Sequence, residues 1–215
     1  MNLPNSLSLA RICIVPLFVV VYLLPYYWGA YVAVGLFVLA TATDFLDGYI
    51  ARKKNLVTDL GKLLDPIADK ILICAALFCV VSSNPLQYLR YVDESNSAVV
   101  KFAEVLLVAG AILIISRELL VSAVRQIAAS KGVVVQANVF GKIKTVFQDV
   151  SLLMLVLLNS VKMQVLDEAP SSSFTPSLFW SVWWWASVAL FGVAVILTVV
   201  SGVIYLVQNR KVFTN

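Results

Sequence analysis

Four carboxylates, Asp44, Asp47, Asp65 and Asp69, are the residues of this chain best suited to chemistry. They lie in the run Asp-Phe-Leu-Asp-Gly-Tyr-Ile-Ala-Arg from position 44 and the run Gly-Lys-Leu-Leu-Asp-Pro-Ile-Ala-Asp that ends at position 69. On a helix, residues three and four apart share a face, so Asp44 and Asp47 point the same way. Gly48 and Ala51 fall on that face, and both are small enough for a bulky ligand to approach the backbone. Arg52 lies one turn beyond Gly48. Asp65 and Asp69 pair in the same way on the next helix, with Gly61 one turn before them. Two such faces supply the oxygen donors that a hard divalent cation such as Mg²⁺ takes, and Mg²⁺ typically bridges to a substrate's phosphates. Arg52 can then hold a phosphate or organise a carboxylate. Solvated loop carboxylates and acids that store or conduct cations are the alternatives.

The elements that position these residues are membrane helices. The chain of 215 residues is 61% hydrophobic and 13% charged, with mean hydropathy +0.93. Soluble domains carry about 25% charged residues. The composition therefore predicts an all-α membrane protein with one domain over residues 1–215 and no separate soluble domain. The absence of histidine excludes imidazole catalysis and histidine-ligated metal sites. Cys13, Cys74 and Cys79 lie in apolar runs, without zinc-like spacing or a disulfide framework. The first apolar run follows no basic segment, which predicts a retained helix rather than a cleaved signal.

Six transmembrane spans are expected, over about 8–25, 30–50, 63–82, 99–128, 139–160 and 177–207. Pro4, Asn5 and Ser6 suggest an N-terminal interfacial segment before the first span. Ser82, Ser83, Asn84 and Pro85 end the third. Trp180, Trp183, Trp184 and Trp185 are expected to form an interfacial belt. The span over 99–128 would be about 45 Å long against a hydrocarbon core of about 30 Å, so its half from Ser116 onward should emerge or line a polar cavity. Arg52, Lys53, Lys54, Lys62, Lys131, Lys142, Lys144, Arg210 and Lys211, with Arg11, mark one side of the membrane. Arg90, Lys101 and Lys162, mixed with acidic residues, mark the other. The positive-inside rule puts both termini and the motif in the cytoplasm.

The full spacing, D-x-x-D-G-x-x-A-R-x8-G-x3-D-x3-D, resembles the CDP-alcohol phosphatidyltransferase family. That resemblance implies a six-helix membrane enzyme, a homodimer, whose site opens to the cytoplasm. It implies displacement of CMP from a CDP-linked donor by an alcohol. It makes Asp44, Asp47, Asp65 and Asp69 ligands of Mg²⁺ or Mn²⁺, two ions in all, and Asp69 the general base. It sets Gly48, Ala51 and Arg52 at the cytidine diphosphate. Metal ions suit the leaving CMP, and a carboxylate suits the acceptor's proton. Neighbouring carboxylates and metal ions act on Asp69 in opposite senses.

The acceptor is read from a second region, Ser116 to Lys131 followed by Gly141-Lys-Ile-Lys-Thr145. Arg117 and Arg125 are two turns apart and Lys142 opens the next helix, a set suited to a dianionic phosphate. Anionic lipid headgroups are the rival ligand. The wording R-E-x-x-V-x-x-x-R-Q and G-K-I-K-T, with the opening N-L-P-N-S-L-S-L-A-R, resembles the family branch that joins CDP-diacylglycerol to sn-glycerol 3-phosphate. That branch implies a bacterial cytoplasmic (inner) membrane and lipid partners, with no nucleic acid. Lys142 and Lys144 are about 200° apart on a helix. Lys142 is therefore assigned to the pocket and Lys144 to a surface or headgroup contact. Glu118 is expected to pair with Arg125. Asn5 can cap the first helix or reach the nucleotide. Thr43 can contact substrate or bond back to its own helix. The last 60 or so residues carry apolar helix and loop, with no chemistry assigned. The rival functions are a sister enzyme using inositol phosphate, phosphatidylglycerol or serine, and a cation transporter or channel.

Overall fold

The computed structural model describes residues 3–54, 59–87, 97–131, 139–168 and 178–209. The side chains of 3–8, 27, 44–54, 59–66, 69, 129–130, 139–140, 142, 164–168 and 178 fall outside that description. The helices are α1 (Leu3–Leu23), α2 (Tyr27–Lys54), α3 (Asp59–Ser83), α4 (Ser97–Ser130), α5 (Val139–Glu168) and α6 (Leu178–Gln208), with a 3₁₀ turn at Pro85–Gln87. No strand occurs among the described residues. Among the described residues, four segments are long and apolar enough to cross a membrane: Lys70–Gln87, Ser97–Ala128, Ile143–Met163 and Phe179–Gln208. Two shorter apolar helices are Leu9–Leu23 and Trp28–Thr43. Pro4, Asn5 and Ser6 belong to α1, which runs unbroken from Leu3 into its apolar stretch.

Stretches of two helices expose aliphatic side chains and bury polar ones. On α5, Ile143, Val146 and Val150 are exposed while Lys144, Gln148 and Ser151 are buried. On α6, Ile196, Val199 and Val203 are exposed while Thr198 and Ser201 are buried. Water would not tolerate so much exposed aliphatic surface. Lipid tails accept it, and polar side chains then turn inward. Buried hydroxyls meet their needs by bonding back to their own helix: Thr198 donates to the Ala194 carbonyl at 2.7 Å, and Ser187 donates to that of Trp183 at 2.7 Å.

The chain forms two compact units, residues 1–92 with 155–175, and residues 93–154 with 176–215. In the first, α1 packs on α2 and α3. Val15, Phe18 and Tyr22 form the buried stripe of α1, and Ala30, Ala33, Phe37 and Ala40 that of α2. Small alanines let the helix backbones approach, which is how membrane helices gain packing without a hydrophobic drive between them. Phe18 and Phe37 have ring centroids 6.1 Å apart. Helix α3 ends as the Ser-Ser-Asn-Pro run predicted: Asn84 takes φ 46°, and its N–H donates to the Val80 carbonyl at 3.0 Å. An asparagine in the left-handed region followed by proline is a strong helix stop.

In the second unit, α4 packs on α6. The closest approach is at Gly110, where an added methyl would stand 2.6 Å from both Phe191 Cε1 and Val195 Cγ2. Further along, Val121 and Val124 of α4 pack on Tyr205 of α6. Of the tryptophan group on α6, Trp184 is fully buried and Trp185 is exposed, because the two lie about 100° apart on the helix and face different surroundings.

Candidate active site

The carboxylate motif occupies the second half of α2 and the first half of α3. Asp44, Asp47, Gly48, Ala51 and Arg52 are helical residues of α2, and Asp65 and Asp69 of α3, so the face-sharing read from their spacing holds for the backbone. Their side chains lie outside the described ones, as do those of Asn5 and Lys142. Among the described residues no group of three or more acidic or sulfur ligands gathers. Asn5 falls inside the first turn of α1, since that helix begins at Leu3. Thr43 bonds back to its own helix, donating to the Ala40 carbonyl at 2.7 Å.

A residue given no chemistry by its sequence context stands at the same level. Phe18 lies beside Phe37. Seven residues back along α1 and seven forward along α2 reach Arg11 and Asp44. Seven residues are almost two full turns, so both steps return to the same faces. Arg11 is fully buried, on the same stripe as Val15 and Phe18. A buried guanidinium at the level of the first motif carboxylate is a charge the membrane tolerates only in partnership. The signal was Arg11 itself, a cation on an otherwise apolar stripe.

The second unit holds the cations. Arg117 Nη1 donates to Glu118 Oε1 at 3.3 Å, and Nη2 donates to Ser201 Oγ of α6 at 3.3 Å. Lys144 also donates to Glu118 Oε1. Its side chain is 1% exposed, against 16% for Arg117 and 23% for Glu118. The surface assignment of Lys144 is therefore overturned. It lies on the buried stripe of α5 with Gln148 and Ser151, and the Glu118 carboxylate makes its burial tolerable. The partners found for Glu118 are Arg117 and Lys144 rather than the expected Arg125, which is exposed two turns further along α4.

Buried polar atoms of this unit with no hydrogen-bond partner among the described residues include Arg117 Nε, Gln148 Oε1 and Tyr205 OH. Such atoms normally find a partner in a folded protein. Ser201, Gln148 and Tyr205 were missed by sequence reasoning. The available signal was polar residues at helical spacing inside apolar helices, which in a membrane protein marks the interior face.

The long apolar helices and their exposed aliphatic faces define a helical integral-membrane protein, with a carboxylate motif on two helices and a cation cluster on two others. The chain belongs to the CDP-alcohol phosphatidyltransferase family, whose profile matches residues 1–200. It is 38% identical to a Bacillus subtilis protein named CDP-diacylglycerol--glycerol-3-phosphate 3-phosphatidyltransferase, over 97% of this chain and 95% of that one. It is 38% identical to a Rickettsia typhi protein of the same name, over 73% of this chain and 76% of that one. A rice protein named cardiolipin synthase (CMP-forming) is 37% identical over 73% of this chain and 46% of its own.

Proposed function

We propose that this protein transfers the phosphatidyl group of CDP-diacylglycerol to sn-glycerol 3-phosphate, giving phosphatidylglycerophosphate and CMP in phospholipid biosynthesis. The observation that carries this is likeness over nearly the whole chain to a B. subtilis relative named for that reaction. The motif and the Arg117 cluster supply the two chemistries it requires.

The donor set of Asp44, Asp47, Asp65 and Asp69, all oxygen and without histidine, fits a hard divalent cation. Bound there, Mg²⁺ or Mn²⁺, as two ions, would neutralise the donor pyrophosphate and the departing CMP. Gly48 and Ala51 leave room for the cytidine diphosphate, and Arg52 binds its phosphates. Asp69 accepts the proton of the acceptor hydroxyl. The hydroxyl oxygen forms a bond to the β-phosphorus of the donor, and the bond from that phosphorus to the CMP oxygen breaks. The proton rests on Asp69 and the electron pair leaves with CMP. Arg117, Arg125 and Lys142 hold the acceptor's own phosphate, and Lys144, through Glu118, completes the charge balance around Arg117.

In this proposal six spans form one phosphatidyltransferase domain. Both termini and the site face the cytoplasm of a bacterial inner membrane, and the enzyme is a homodimer. The basic residues on one set of loops support the orientation. The test is an acceptor screen on purified protein in detergent. CMP should be released from CDP-diacylglycerol only with sn-glycerol 3-phosphate and Mg²⁺ or Mn²⁺ present. Release with phosphatidylglycerol instead would move the chain to the reaction named for the rice relative, and release with inositol phosphate or serine to another sister enzyme. Ion flux without CMP would sink the enzyme altogether.

A further inference from the structure

Helix α6 carries no charged residue between Leu178 and Gln208, yet it shapes the surroundings of Arg117. The guanidinium is fixed on two amino groups, one by Glu118 and one by Ser201, each at 3.3 Å. Its stem passes Gly202, where an added methyl would stand 3.1 Å from Arg117 Cγ. At Gly141 of α5 a methyl would stand 3.8 Å from Nη2. Ser201 spends its own proton on the Thr198 carbonyl at 3.1 Å, which leaves a lone pair for the guanidinium. That back-bond alone would satisfy a serine in a membrane helix. Its second contact serves the arginine. Arg117 Nε, buried and without a hydrogen-bond partner among the described residues, remains to donate to an anion.

Resting on the acceptor assignment above, we propose that Ser201 and Gly202 are positioning residues: they aim the Arg117 guanidinium, so that α6 sets the affinity for the acceptor's phosphate. Ser201 orients the amino end and Gly202 leaves the stem its path. A guanidinium held in advance loses less freedom when the phosphate arrives, which lowers the cost of binding.

The test is steady-state CMP release by the full-length protein, with sn-glycerol 3-phosphate titrated at saturating CDP-diacylglycerol. Ser201→Ala should raise the KM for sn-glycerol 3-phosphate roughly three- to tenfold, the span of one net hydrogen bond, and Gly202→Ala should raise it in the same direction. In both, kcat should stay within about twofold and the KM for the donor should hold, as for lost ground-state binding. KM does not depend on the fraction of protein that is folded, so a poorly expressed variant still reports. The decisive variant is Ser201→Ala made on Arg117→Ala, where KM should rise no further than with Arg117→Ala alone. An unchanged KM in both single variants, or an undiminished Ser201→Ala effect without Arg117, overturns the proposal and leaves the enzyme assignment standing. A wild-type protein whose CMP release ignores sn-glycerol 3-phosphate overturns both.

Discussion

Ser83 in the first unit and Ser201 in the second each take a hydrogen bond from another helix, but their surroundings differ. Ser83 Oγ donates to the Val80 carbonyl at 3.4 Å and meets the Tyr22 hydroxyl at 2.7 Å. Lys162 donates to the Ser83 carbonyl. A cation on the last carbonyls of a helix also suits the helix dipole. The cluster thus ties α1, α3 and α5 together. In the second unit Ser201 accepts from Arg117, and Arg117 Nε, Gln148 Oε1 and Tyr205 OH are buried without hydrogen-bond partners among the described residues. An unmet buried polar group costs about 1–3 kcal/mol. The Ser83 contacts join three helices, whereas the Ser201 contact fixes a guanidinium.

Breaking each region should therefore fail in its own way. The largest effect belongs to the carboxylate motif: Asp69→Asn should lower kcat about 10³-fold, within the range for a lost general base, while donor binding persists. Near-normal turnover would remove Asp69 from that role. Next comes the buried pair. Glu118→Ala leaves Lys144 buried without its carboxylate and should cost about 3 kcal/mol or more, seen as a lower melting temperature in detergent. Adding Lys144→Met should recover part of that loss, since the fully buried charge is gone and only Arg117, less deeply buried, is left without Glu118. A double variant no more stable than Glu118→Ala would mean the charge itself was not the problem. The smallest effect is at the Ser83 end. Tyr22→Phe should cost about 0.6 kcal/mol, the average for a hydrogen bond between membrane helices, and leave both KM values unchanged. A shift in either KM would show that this end too reports to substrate.

Much of the fold was legible because spans are long and their stops are local. The Ser-Ser-Asn-Pro run stops α3 where expected, and the motif lies on helices as its spacing required. The acceptor region was harder. The helical separation of about 200° from Lys142 points Lys144 to the surface, but its environment is set by Glu118, 26 residues away. Ser201 and Gly202 looked like apolar-helix filler, and only packing of α6 on α4 brings them to Arg117. Local spacing reports what shares a face. It cannot report which face of a distant helix is opposite. The membrane offered a partial substitute, since Gln148, Ser151, Thr198 and Ser201 had to turn inward wherever they sat.

The division of labour between the two regions is tested most directly by measuring both KM values in Arg117→Ala. The KM for sn-glycerol 3-phosphate should rise about tenfold or more, as expected for a truncated charge-assisted contact. The KM for CDP-diacylglycerol should stay at the wild-type value. An equal rise in both, or a rise for the donor alone, would contradict the assignment of the Arg117 cluster to the acceptor.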